Sequence, residues 1–219
     1  MTQSSSQRAI TQLRQLIFSG ALPAGSDHLE SELAERLNMS RTPAREAALM
    51  LESQGLLEMR PRKGVRILPV SAGDMREIYE VLTELECLSA ERAARHSVKE
   101  SDLAALARSI EDMDVALRAG DLEQWAQADE GFHSELVRLG GNSRAINIAG
   151  MMQDQVRRAR LVTLHMRPVP SQSNQDHRGV LEAIRWGDAE AARSIHKNHR
   201  DVAQKLILAL LEKHRLHLL

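Results

Sequence analysis

Cysteine is nearly missing from this chain of 219 residues: Cys87 stands alone, which excludes an intrachain disulfide and a cysteine-based zinc cluster. Aromatic side chains are almost as scarce, two Trp, two Phe and one Tyr, too few to build the stacking platforms that hold single-stranded nucleic acid. No apolar run approaches the roughly 20 residues that a membrane-spanning helix needs; the longest one near the C-terminal end is Leu206 to Leu211. The opening MTQSSSQRAI has no apolar core of the kind a secretory leader carries. An overall charge of one sign is also missing, since 29 Lys and Arg face 30 Asp and Glu. A soluble, cytoplasmic protein without a membrane partner is expected.

Against that even background, Ser40 to Leu57 (SRTPAREAALMLESQGLL) is the most informative stretch. Ser40, or Thr42 followed by Pro43, can cap and start a helix. Ala47, Ala48 and Leu49 to Leu51 supply an apolar side, and Gly55 ends the helix in the left-handed conformation. Arg41, Thr42 and Arg45 then sit near a helix N-terminus, where they can meet phosphates and base edges. Upstream, Leu29 to Met39 forms a second short helix with Leu33, Ala34 and Leu37 at helical spacing, and only Asn38-Met39-Ser40 separates the two. An earlier helix carries Ile10, Leu13, Leu16 and Ile17 on one face and stops at Gly20. Downstream, Leu56 to Met59 is a candidate strand, Pro61 to Gly64 a turn and Val65 to Leu68 a returning strand. Three helices and a hairpin with a basic tip make a winged helix-turn-helix over residues 1–68. Its recognition helix would enter the major groove of double-stranded DNA, while Arg60, Arg62 and Lys63 touch backbone or minor groove. Between Arg41 and Arg66 six basic residues outnumber three acidic ones in a chain whose net charge is −1, so the positive charge is local.

Pro69 to Gly73 reads as a linker, with Ser71 and Asp74 placed to cap the next helix. From Asp74 onward the pattern is helical throughout, with helices expected at about 74–96, 100–119, 121–139, 142–166, 173–186 and 188–214. A seventh would fit between Arg167 and Ser173. The expected fold class is therefore mainly α, a winged helix followed over residues 74–219 by an all-helical bundle with its own core.

The bundle carries a second constellation. Asp129 and His133 are four apart on one helix and so point the same way. His177 and His199 lie on either side of Gly187-Asp188; if the chain folds back there as a helical hairpin, the two rings sit at nearly the same height. Three imidazoles and one carboxylate suit a divalent transition metal with positions left open for another ligand. His196 competes with His199 for such a place or faces solvent.

The first half of the chain resembles the DNA-binding domain of the GntR family of bacterial transcription regulators. Leu22-Pro23-Ala24-Gly25, Leu33-Ala34, Ser40-Arg41-Thr42-Pro43-Ala44-Arg45-Glu46 and the basic, glycine-containing wing fall on the family's pattern. The resemblance implies that Arg41, Thr42 and Arg45 contact an operator and that Gly64 lets the wing approach DNA. Ser31 departs from the arginine some members carry, and Asn38 replaces the usual glycine of the turn, mildly, because Asn tolerates the left-handed region. The second half resembles the FadR-type effector domain, called FCD, through MREIYEVLTELECLSAERAA, DEGFHSEL and QDHRGVLEAIRWGDAEAARSIHKNH. That resemblance implies a metal on Asp129, His133, His177 and His199. Zinc comes first, and nickel, manganese and iron accept the same ligands. It also implies a small organic acid or related metabolite as effector. Tyr79-Glu80-Val81-Leu82 lacks the arginine that many members place in the cavity at the fourth position; Arg157, Arg158 and Arg160 are the nearest replacements by type. The reading is a homodimeric, non-enzymatic repressor on a palindromic operator. A metal sensor and a metal-dependent enzyme fused to a DNA-binding domain are the alternatives.

Overall fold

The computed structural model describes residues 4–96 and 99–214, and the chain divides into two compact units after Ser71. The expected helix break at Ser97 and the last five residues of the expected effector domain lie outside the described residues, as do the first three of the N-terminal segment.

The first unit holds α1 (Ser5–Phe18), β1 (Asp27–His28), α2 (Glu30–Arg36), α3 (Arg41–Ser53), β2 (Leu57–Arg60) and β3 (Gly64–Ile67). Ser4 caps α1 by accepting from the Gln7 N–H, and Glu32 accepts from the Leu29 N–H at the start of α2. Ser40 occupies the cap position of α3, but its hydroxyl makes no capping bond. The turn between α2 and α3 passes through Asn38 at φ 50°, the left-handed conformation that Asn enters at little cost. The apolar side of α3 is Ala44, Ala47, Ala48 and Leu51. Leu49 and Met50, expected on that side, point outward, because a helical period of 3.6 rotates them away from the stripe. These alanines close on Leu13, Ile17, Leu33, Val65 and Ile67 to form the core of the unit.

The sheet has three strands, not the two of a bare hairpin, in the order β1-β3-β2 and antiparallel throughout. Leu57 opposes Ile67 and Arg60 opposes Gly64, while Asp27 of β1 opposes Arg66. A strand of two residues carries no alternation to read, so β1 leaves no trace in the sequence pattern. Its place is marked by charge instead: the Asp27 carboxylate accepts from both Arg60 and Arg66 at 3.3 Å.

The second unit contains α4 (Ala72–Arg95), α5 (Glu100–Ala119), α6 (Leu122–Leu139), α7 (Ser143–Thr163), α8 (Ser171–Arg185) and α9 (Ala189–Lys213). Six α-helices are present among the described residues, and the candidate seventh is a single 3-10 turn at Leu164–Met166. Helix α7 ends three residues before its expected limit because its last turn tightens into that form. Helix α4 begins at Ala72, so the last two residues of the expected linker are its first turn. Asp121, Asn142 and Asp188 cap α6, α7 and α9 with side-chain oxygens. Among the described residues no helix is long and apolar enough to cross a membrane.

Helix α4 packs on α6, α7, α8 and α9, α5 pairs with α6, and α8 folds back on α9. The core between them includes Leu106, Met113, Phe132, Leu136, Val180 and Ile184. Buried Asn174 is satisfied on both sides, accepting from Trp125 Nε1 at 2.8 Å and donating to Asp114 at 2.7 Å. The end of α6 reaches α4 most closely at Gly140, where an added Cβ would lie 2.6 Å from the Ser89 Cα. Overpacking against backbone costs about 1–3 kcal/mol. Gly140→Ala is therefore expected to lower the thermal unfolding midpoint of the helical unit by several degrees, measured by calorimetry; an unchanged midpoint would show that α4 and α6 can separate freely.

Candidate DNA interface and candidate metal centre

Arg41, Arg45 and Leu49 recur every fourth residue along α3 and so share one face. Together with Ser31, Arg60, Arg62 and Gly64 they line a concavity of about 540 Å³ between α3 and the wing. Arg45 reaches Glu30 only at 3.7 Å and stays largely exposed, whereas Arg60 is tied to Asp27 and Glu58. Thr42 and Lys63 are exposed, Thr42 in the first turn of α3 and Lys63 at the wing tip. Arg62 stands at φ 64° in a turn closed by the Lys63 N–H on the Arg60 carbonyl. Gly64 has an intramolecular reason to be glycine: its φ is 86°, and a Cβ there would lie 2.2 Å from the His28 carbonyl oxygen of β1. Leu49 is the apolar member of the set and went unnoticed in the sequence, where it reads as core. Its spacing from Arg41 and Arg45 is the signal that separates it from Leu51. An apolar side chain there is suited to a thymine methyl.

In the helical unit, one ligand atom each from Asp129, His133, His177 and His199 lies within 4.8 Å of the others, and all four residues are buried. Helix α6 supplies Asp129 and His133 one turn apart. The α8–α9 hairpin, reversed at Gly187 with φ 73°, brings the rings of His177 and His199 to 4.5 Å between centroids. Asp129 Oδ1 is 3.7 Å from both His133 Nε2 and His177 Nε2, close to the roughly 3–4 Å between ligand atoms around a metal with bonds near 2 Å. Both ring nitrogens of His177 and Nε2 of His199 are buried without a hydrogen-bond partner. Such nitrogens are costly in a core unless something accepts their lone pairs or protons. The donor set therefore fits a divalent metal.

The surrounding groups orient these rings. Arg160 Nη2 faces His133 Nε2 at 3.3 Å; a guanidinium only donates, so this nitrogen presents its lone pair and the proton lies on Nδ1, toward Glu86 at 3.4 Å. Asp176 stands 3.4 Å from His199 Nδ1 and leaves Nε2 toward the cluster. His196 is buried against Glu86 at 2.9 Å, not turned to solvent and not among the four clustered residues. Glu86, Asp176 and Arg200 were missed from sequence, and His196, weighed there as a rival of His199 or a solvent-facing ring, supports Glu86 instead.

Burial pushes His196 down to about 4 and holds His177 and His199 below their ordinary value. Neutral rings are the form that binds metal. Burial alone would raise the Asp129 carboxyl, but the charge of Arg160 and the neighbouring His133 and His177 outweigh it and hold it well below the usual carboxylate range.

Two cavities open beside the cluster. The first, about 120 Å³, is reached by Leu82, His133, Arg157, Arg160 and Arg200. The second, about 190 Å³, is reached by Asp129, Arg160, Arg167 and His199. Of the arginines expected to serve an effector, Arg160 lines both cavities and binds Asp129 at 2.5 Å. Arg157 lies at the edge of the first, paired with Glu130 at 3.3 Å. Arg158 is buried and lines neither.

A winged helix joined to an all-helical unit with a buried ligand cluster is the plan of a two-part DNA-binding regulator. The chain belongs to the GntR family: residues 5–67 match the bacterial regulatory proteins of the gntR family, and residues 77–202 match the FCD domain. It is 31% identical to an HTH-type transcriptional regulator of Streptomyces ambofaciens over 85% of this chain and 78% of that protein. It is 27% identical to the gluconate operon transcriptional repressor of Bacillus licheniformis, over 93% of this chain and 85% of that one. Among solved structures it resembles McbR/YncC of E. coli, with a TM-score of 0.78 and 23% identity over 94% of this chain and 98% of that one, a likeness of fold. The chain is thus a DNA-binding transcriptional regulator, and its relatives are regulators rather than enzymes.

Each base or phosphate contact made by one arginine contributes about 1–3 kcal/mol. Arg45→Ala is expected to weaken binding to an operator selected from random duplexes by roughly tenfold or more, without changing oligomeric state in sedimentation. Unaltered affinity would remove Arg45 from the recognition surface.

Proposed function

We propose that this regulator is a homodimeric repressor that holds a palindromic operator through Arg41, Thr42, Arg45, Arg62, Lys63 and the Gly64 turn. A small organic acid bound beside a divalent metal on Asp129, His133, His177 and His199 changes its affinity for that operator. The observation that carries the metal-centred reading is the set of buried, unpaired nitrogens on His177 and His199, facing a carboxylate oxygen shared with His133. Zinc is the first candidate for this nitrogen-rich set. Repression and an acid effector draw support from the relative named for a gluconate operon.

A metal held by Asp129, His133, His177 and His199 would supply a Lewis acid for a carboxylate oxygen of the effector. The protein's own part is positional. Glu86 and Asp176 keep two rings in the orientation that presents Nε2, and Arg160 offers donors beside the cluster while holding α7 to α6 through Asp129. An acid that draws on Arg160 alters that contact between helices. The chain continues from the bundle to the winged helix through Pro69-Val70-Ser71, and a coupling of about 1–3 kcal/mol suffices for regulation.

Metal content measured by mass spectrometry on the full, untagged chain tests this. About one metal per chain is expected, lost in His177→Ala and retained in His165→Ala, an exposed ring paired with Glu123. A wild-type chain free of metal would overturn the metal-centred reading. Operator binding that follows zinc with no acid present would make the chain a metal sensor instead.

A further inference from the structure

Asp27 belongs to the two-residue strand β1, well upstream of the basic stretch that starts at Arg41, yet the fold sets it among that stretch's arginines. The antiparallel register places Asp27 opposite Arg66 on one side of β3 and Glu58 opposite Arg66 on the other. Directly opposed residues share a face of a sheet, and so do residues two apart on one strand. Asp27, Glu58, Arg60 and Arg66 therefore lie together on one face, while Leu57, Val65 and Ile67 of the other face are buried in the core.

On the outer face the charges are matched. Asp27 uses both oxygens, Oδ1 accepting from Arg60 Nη1 and Oδ2 from Arg66 Nη1, each at 3.3 Å. Glu58 accepts from Arg60 Nε at 3.0 Å. Glu58 thus fixes the orientation of the Arg60 guanidinium, and Asp27 neutralises its far end. Arg60 lines the concavity between α3 and the wing with Arg41, Arg45 and Arg62. Those three are exposed, and Arg45 reaches Glu30 only at 3.7 Å; Arg60 is half-buried between two carboxylates.

A carboxylate and a phosphate are alternative acceptors for the same planar fork. Asp27 is 49% exposed, and an ion pair so open to water adds little stability, so a competing anion can replace it. The strand has other support: the Gly25 N–H donates to the Ile67 carbonyl at 2.8 Å, and the Ile67 N–H to the Ser26 carbonyl at 2.9 Å.

We propose that Asp27 is an internal stand-in for a DNA phosphate at Arg60 and so limits how tightly the wing holds DNA of any sequence. A phosphate that approaches Arg60 has to displace Asp27 and is repelled by it. The restraint acts most on non-specific DNA. There the protein can shift along the duplex to bring a phosphate to any free cation, whereas base contacts fix its register on an operator. Asp27 is thus a positioning residue that widens the gap between operator and other DNA. The inference rests on the DNA-surface reading of α3 and the wing.

The test is binding of the full chain to an operator selected from random duplexes and to an unrelated duplex of equal length, each across a range of salt concentrations. Each phosphate contact steepens the fall of log K with log salt by about 0.9 and is worth on the order of tenfold near 0.1 M salt. Asp27→Asn, which keeps the size of the side chain, is expected to steepen the slope on the unrelated duplex by about one contact. Affinity there should rise roughly tenfold, and by less on the operator. Adding Arg60→Ala should return the slope to that of wild type. An unchanged slope, an equal rise on both duplexes, or weaker binding to both, as from a loosened wing, would each overturn the assignment. So would a steeper slope that survives Arg60→Ala, since the effect would then be the charge of Asp27 alone. Arg62→Ala, in the same wing but without the Asp27 contact, separates the two readings. If neither Arg62→Ala nor Arg45→Ala changes binding, the DNA surface itself is misplaced. A slope flattened by Arg62→Ala and untouched by Asp27→Asn removes this inference alone.

Discussion

The helical unit depends on one buried carboxylate. Asp129 in α6 faces His133 one turn along, His177 from α8 and Arg160 from α7; the carboxylate and both rings are buried, and Arg160 borders the two cavities. A second carboxylate, Glu86 in α4, does the same for His133, His196 and Arg200, bringing in α9. Every helix of the unit except α5 therefore contributes to one connected polar network. Breaking a buried pair by removing one partner costs about 3–5 kcal/mol, because the other charge is left unpaired. The same burial that makes the network expensive to disturb holds His177, His196 and His199 below their ordinary value. A core built on apolar contact alone would hold these helices at lower risk. On the proposed reading, the network would make them responsive to a charged effector instead.

The two units solve opposite electrostatic problems. In the winged helix, cations are kept at the surface: Arg41, Arg62 and Lys63 are exposed, and the fold spends its acidic residues on Arg60 and Arg66, which pin β1 to the wing. On the proposed DNA-binding surface those cations would meet phosphate, where attraction is long-ranged and salt-sensitive. Inside the bundle, by contrast, Arg160 and Arg200 are largely withdrawn from water and matched to Asp129 and Glu86. The small total charge of the chain conceals this division.

Sequence patterning reached some of this and not the rest. The recognition helix was legible because capping residues, alanine spacing and Gly55 all describe one helix, and the arginines are its exposed remainder. Leu49 was misread for the same reason that β1 was missed: a run of three apolar residues and a pair of strand residues are both too short for periodicity to assign a face. In the bundle, the four-residue step from Asp129 to His133 is a property of one helix and needs nothing else. Arg200 and Glu86 lie 114 residues apart in the chain, and no local spacing announces that they meet.

By itself, then, the sequence determined the local matters: which segments are helical, where they stop, which residues carry lone pairs, and the family to which they point. These arise from backbone preferences and from side-chain chemistry that act within a few residues. Only the tertiary structure decided which arginine lines the cavity, which nitrogen of each histidine is free, and that His196 supports Glu86 instead of joining the cluster. Those outcomes depend on desolvation and on distances of about 3 Å between separate helices, and they come into being only when the helices pack.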